Sequence, residues 1–219
     1  MSSISSRRLR ALFAAVTCAL AATAAAAEAD AVQALQQRWA EVKYAAEGAQ
    51  QQQQFEALAA EAAKVKAASP DDPRALIWEG IILASYAGAK GGLGALSLCK
   101  SARADFEAAL AIDPAAMDGS AYTSLGSLYY QVPGWPLGFG NDDKARELLR
   151  KGLEINPQGI DANYFYGDFL RDQGEYVEAV PVLEKALAAP PRAGRELADQ
   201  GRRAEIEQAL AQAREHIDS

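Results

Sequence analysis

Ala145-Arg146-Glu147-Leu148-Leu149-Arg150-Lys151-Gly152-Leu153-Glu154-Ile155-Asn156-Pro157 sets a register that returns on either side of it. Its key positions are Ala145, Leu149, Gly152 and Pro157. The same offsets of 4, 3 and 5 give Ala102, Phe106, Ala109 and Pro114 upstream, and Ala179, Leu183, Ala186 and Pro191 downstream. Steps of three and four residues place the first three positions of each set on one helical face. Small residues there let a second helix approach, the bulky residue fills the gap, and proline ends the helix. Each set is preceded by another helical pattern centred on a glycine: Ile77, Gly80, Leu83; Tyr122, Gly126, Tyr129; and Asn163, Gly167, Leu170. Glycine inside a helix costs about 1 kcal/mol against alanine, so its return at one register predicts a close helix contact.

Helix pairs with this signature, and the 34-residue step from Pro157 to Pro191, resemble the tetratricopeptide repeat. The resemblance spans about residues 31–191. It implies an all-α helical solenoid of about three to four helix pairs, with repeats at about 74–114, 120–157 and 161–191. A degenerate N-terminal helix pair is expected over 28–70, divided at Gln50 to Gln54, with Trp39 on its first helix and Phe55, Leu58 and Ala62 on its second. Residues 192–219 are expected to form a C-terminal capping helix, with Leu197, Ile206, Leu210 and Ala213 on its apolar face and a charged outer side. From Pro114 to Pro157 the step is 43, and the excess lies in Val132 to Asp143, between the two helices of the middle repeat. Asn141, Asp142 and Asp143 are placed to cap the helix that follows.

Upstream of the repeats, Arg7, Arg8 and Arg10 precede an uncharged run from Ala11 to Ala26 that closes in small residues. Residues 1–27 therefore read as a secretory signal peptide, with cleavage near Ala27 and a periplasmic destination. The sequence carries 22 basic and 29 acidic residues, a formal charge of −7. The leader takes three of the basic residues and none of the acidic ones, leaving a mature chain at −10. That balance offers no electrostatic footprint for nucleic acid, and no stable membrane insertion is expected after cleavage. Cys99 is then the only cysteine, so no disulfide framework exists, and a buried thiol is expected.

Candidate chemistry is sparse. The sole histidine, His216, lies three residues from the end, where fraying is expected. One histidine and one mature cysteine do not make a zinc site. Gly91, Gly92 and Gly94 follow Lys90 rather than precede a Lys-Ser or Lys-Thr pair, so no phosphate loop is read there. The reading is a non-enzyme without cofactor or metal.

In the tetratricopeptide repeat the first helices line the concave face. The resemblance places there Ile77, Ile81 and Ser85; Thr123, Ser127 and Tyr130; and Tyr164, Asp168 and Arg171. Tyr130, Tyr164, Asp168 and Arg171 are the candidate partner contacts, since aromatic area with a fixed charge pair suits a protein or peptide, or a small polar ligand. Trp135 and Phe139, in the Pro- and Gly-rich insertion, are the other candidates. Two readings stay open for them: a plug folded back into the solenoid, or a lid or docking loop. The insertion leading into Asn141 to Glu147, then Ala188 to Pro191 and a charged terminal helix, more loosely resembles the tetratricopeptide-repeat component found beside tripartite periplasmic (TRAP) transporters. That resemblance implies a small-ligand-binding accessory of transport, with a periplasmic solute-binding protein as partner.

Overall fold

The computed structural model describes residues 31–217; the leader read at 1–27 lies outside them. Among the described residues there are nine helices and no strands. They are α1 (31–45), α2 (Gly48–Ala68), α3 (Pro73–Lys90), α4 (Gly92–Ile112), α5 (Ala116–Gln131), α6 (Asp142–Ile155), α7 (Ile160–Asp172), α8 (Tyr176–Leu187) and α9 (Glu196–Ile217). Each of α3, α5 and α7 packs against the helix that follows it, giving three stacked hairpins, and α2 packs on α3.

The register sets the close contacts of the hairpins. Ala102, Phe106, Ala109, Ala145, Leu149, Ala179, Leu183 and Ala186 are all buried. The register glycines Gly80, Gly126 and Gly167 each seat the bulky residue of their own second helix. A Cβ on Gly80 would lie 2.5 Å from the Phe106 ring, one on Gly126 2.7 Å from Leu149 Cγ, and one on Gly167 2.7 Å from Leu183 Cγ. The helix cost of glycine is offset by the approach that it permits.

The front pair divides earlier than Gln50 to Gln54. The helix breaks at Ala46 and Glu47, and the glutamines stand inside α2. Gln51 Nε2 donates to the carbonyls of Val42, Lys43 and Ala46 at 2.9–3.1 Å. It thereby satisfies acceptors that the end of α1 leaves open. A polar run that looks like a linker is here the cap of the preceding helix. Lys66 of α2 ties this pair to the first repeat, 2.6 Å from Glu79 of α3 and 2.9 Å from Asp105 of α4. Both carboxylates are buried, so each needs that ammonium.

The terminal helix does more than cap. Ile206, Ala209, Leu210 and Ala213 are buried, the first three in the core of the repeats, while Ala198 packs into the N-terminal cluster with Val32, Leu35 and Trp39. Gly201 lies against the Tyr44 ring, where any Cβ would collide. The two ends of the solenoid therefore meet, and the concave face is the inside of a ring. Nor is the end frayed at His216: α9 runs to Ile217, and the imidazole stacks on Tyr176 at 4.5 Å. Cys99 is half-buried rather than buried.

Two glycines separate packing from propensity. A Cβ on Gly126 would sit 3.0 Å from the backbone nitrogen of Leu149, whereas one on Gly88, within α3, meets nothing inside 4 Å. In denaturant melts Gly126→Ala is expected to lose ~1–3 kcal/mol and Gly88→Ala to gain up to ~1 kcal/mol. Equal effects of the two would contradict the seating.

Candidate functional site: the cavity inside the ring

Where the ends of the chain meet, the fold leaves a cavity of about 700 Å³. Its walls come from α1, the first helices α3, α5 and α7, and the stretch from Arg192 into α9. On the α1 side Trp39 donates from Nε1 to Ser85 Oγ at 2.8 Å. Its ring meets Trp78 edge-on at 5.8 Å and Tyr44 at 5.7 Å.

Opposite lies a cluster of charge. The Arg202 side chain is buried; its Nε donates to Asp161 Oδ1 at 2.8 Å and its Nη1 to Glu205 Oε2 at 2.6 Å. Its guanidinium covers the rings of Tyr164 and Phe165 at 4.4 and 4.6 Å. Arg192 donates to Asp161 Oδ2 at 2.7 Å and to Asp199 Oδ1 at 2.6 Å. Glu205 then reaches the other end of the chain, accepting from Tyr44 Oη at 3.3 Å and lying 3.4 Å from Lys43 Nζ.

Burial alone would raise the Asp161 carboxyl, but the Arg202 and Arg192 guanidiniums prevail and hold it down at about 2. The Tyr164 hydroxyl is pushed up to about 12, first by burial and then by the Asp168 charge. Burial, then repulsion from Arg192, lowers Arg195.

Backbone strain sits in the same wall. Met117 and Asp118 adopt left-handed conformations, φ 50° and 56°, before Gly119 at 74°. That conformation costs roughly 1–2 kcal/mol per non-glycine residue. Met117 and Asp118 both line the cavity. Nothing in the sequence pattern marked this turn, which precedes the regular part of α5.

The sequence-predicted contacts fall into four groups. Tyr164 lines the cavity, as do Ile81, Ser85 and Thr123. Tyr130, Asp168 and Arg171 are brought together beside it. Tyr130 donates to Asp168 at 2.7 Å, and Arg171 donates to Asp168 at 2.7 Å and to Gln212 of α9 at 3.0 Å. These three therefore lock α5, α7 and α9 together and are satisfied within the chain. Ile77, projected onto the concave face, is instead fully buried core. The insertion splits: Phe139 packs edge-on against Tyr129 at 5.6 Å beneath Arg103, while Trp135 stands 90% exposed and plugs nothing. Asn141 caps α6, its side chain accepting from the Lys144 amide.

Sequence reasoning missed Arg192, Arg195 and Arg202. With Asp199 they fall at steps of 3, 4 and 3, one helical stripe that an isolated cap would turn to solvent. No group of three or more His, Cys, Asp or Glu among the described residues is arranged to hold a metal ion. Among them, too, no helix is long and apolar enough to cross a membrane.

Residues 160–193 match the tetratricopeptide repeat family model. No curated protein is similar enough to match the chain. Among solved structures the chain is similar to TTC0263, a thermophilic TPR protein of Thermus thermophilus. The identity is 20% over 76% of this chain and 83% of that one, with a TM-score of 0.53. It is also similar to MamA, at 20% identity over 76% and 90% of the two chains and a TM-score of 0.44. YrrB, described as a TPR protein with an unusual peptide-binding site, matches at 18% over 76% of both, with a TM-score of 0.42. The last two superpose too loosely to carry an argument; the first shows the fold. The chain carries a tetratricopeptide repeat and folds as a tetratricopeptide solenoid.

The Asp161 carboxyl is lowered on folding, so its contribution is present above about pH 4 and is lost as pH falls towards 2. The melting temperature of Asp161→Asn is expected to lie below that of the native chain at neutral pH. That difference should shrink across the same interval. A difference independent of pH would contradict the pairing.

Proposed function

We propose that this tetratricopeptide-repeat protein is an exported, non-catalytic scaffold that engages a protein partner through the loop at 132–141. The fold class supports protein interaction, and the loop supplies a surface. Trp135 and Leu137 are 90% and 75% exposed. The loop that carries them is ordered by its own hydrogen bonds: Gly140 N to Pro133 O at 3.0 Å, Asn141 N to Tyr129 O at 2.9 Å and Gly138 N to Gly134 O at 3.0 Å. Phe139 anchors it below. Two large apolar side chains held in water on a braced loop gain nothing within the chain, and a partner that covers them gains their area.

The inner face is a poorer peptide groove than an open solenoid offers. An extended peptide laid along α3, α5 and α7 would have to part α9 from α1. Export and periplasmic location rest on the order of charges and small residues in 1–27. A second reading, a small-ligand-binding accessory of periplasmic transport with a solute-binding protein as partner, draws support from the cavity.

Trp135→Ala is expected to change stability by no more than about 0.5 kcal/mol, as exposed positions do. In the native host, a photo-crosslinking residue at Leu137 is expected to capture a defined protein, and Trp135→Ala to abolish that capture. Capture of nothing, or capture indifferent to Trp135, would contradict the loop as the docking surface.

A further inference from the structure

Four cations line the cavity: Lys43, Arg192, Arg195 and Arg202. Three are matched. Glu205 takes Lys43 and Arg202, and Asp161 and Asp199 take Arg192. Among the described residues Arg195 has no carboxylate within ion-pair distance, although Asp161 and Asp199 act on it from farther off. Among the described residues only its Nη1 has a hydrogen-bond partner, Gln36 Oε1 at 3.0 Å, and its Nε is buried with none. Its guanidinium lies 5.0 Å from the Trp78 ring, whose own Nε1–H is likewise buried without an acceptor. A cation without a carboxylate partner thus stands in the cavity wall, its Nε and the Trp78 Nε1 both shut off from solvent, in a protein that otherwise pairs its buried charges.

We propose that the cavity binds a small organic monocarboxylate, its carboxylate held by Arg195 beside Trp78 and its apolar body lying against Trp39, Ile81, Leu128 and Phe165. A guanidinium fork matches the planar carboxylate two bonds at a time. Arg195 alone of the four has no carboxylate partner among the described residues, and with Asp118 also in the lining the site suits no more than a single added negative charge. A phosphate dianion would meet Asp161 and Glu205 without a cation left to offset its second charge. Around the fork the lining is aromatic and aliphatic, and the volume lies within the range of small-molecule sites. This site is separate from the 132–141 loop, and its test does not depend on a protein partner.

The chain has three tryptophans, so Trp135→Phe leaves Trp39 and Trp78, both at the cavity, as the emitting indoles. In that background the probes are 3-phenylpropionate, cyclohexanecarboxylate and octanoate, each titrated against its own primary amide. At least one acid is expected to shift the emission saturably and to bind about tenfold or more tighter than its amide. Arg195→Gln should remove that preference, whereas Arg38→Gln, on the outer side of α1 with Glu41 and Glu61, should keep it. Should Arg195→Gln not melt cooperatively, Arg195→Lys replaces it; it keeps the charge without the fork, and a weaker preference is expected. Acids no tighter than amides throughout the series, or a preference that survives the loss of Arg195, would overturn the site.

Discussion

The Arg202 guanidinium, buried between α7 and α9 and shared by Asp161 and Glu205, is the interaction on which the shape of this protein depends. Glu205 passes the connection on to Tyr44 and Lys43 of α1. One cation therefore joins the third repeat, the terminal helix and the start of the fold. Ion pairs out of water are costly to assemble and costlier to break, so such a cluster contributes more to geometric definition than to net stability. The rings of Tyr164 and Phe165 lie against it.

Hairpin packing and ring closure draw on different physics. Within a hairpin the contact is steric and joins neighbours in the chain: a glycine seats a bulky residue of the next helix, as Gly126 does Leu149. Closure is distant in sequence and adds charge and hydrogen bonding to packing, bringing residues 33–44 against 194–205. A tetratricopeptide solenoid without the second interaction would present an open groove. With it, the inner face becomes a cavity, and the outward surface offered to a protein is the braced loop carrying Trp135 and Leu137.

The same division explains what was legible in the sequence. Small, bulky and glycine positions recur at helical spacing, so the repeats, the insertion and the Asn141 cap could be read directly. The break in the front pair was displaced because Gln51 caps α1 through its side chain, which looks like any other polar residue in a run of glutamines. Closure was not legible, since no spacing relates Tyr44 to Glu205. The spacing of Arg192, Arg195, Asp199 and Arg202 was the available signal, but charges on and just before a terminal helix ordinarily face water. Tyr130, Asp168 and Arg171 were projected onto the concave face as partner contacts, but they bond to one another and Gln212 of α9 completes their hydrogen bonding; a projection from the repeats alone has no α9 in it. Trp135 and Phe139 divide between surface and core because the loop turns between them.

Ring closure is tested most directly by zero-length carbodiimide coupling on the purified protein at low concentration, with the products mapped by mass spectrometry. Lys43 Nζ lies 3.4 Å from Glu205 Oε1, so an intramolecular amide between Lys43 and Glu205 is predicted as a major product. Its absence, or its occurrence only between chains, would contradict the closed ring.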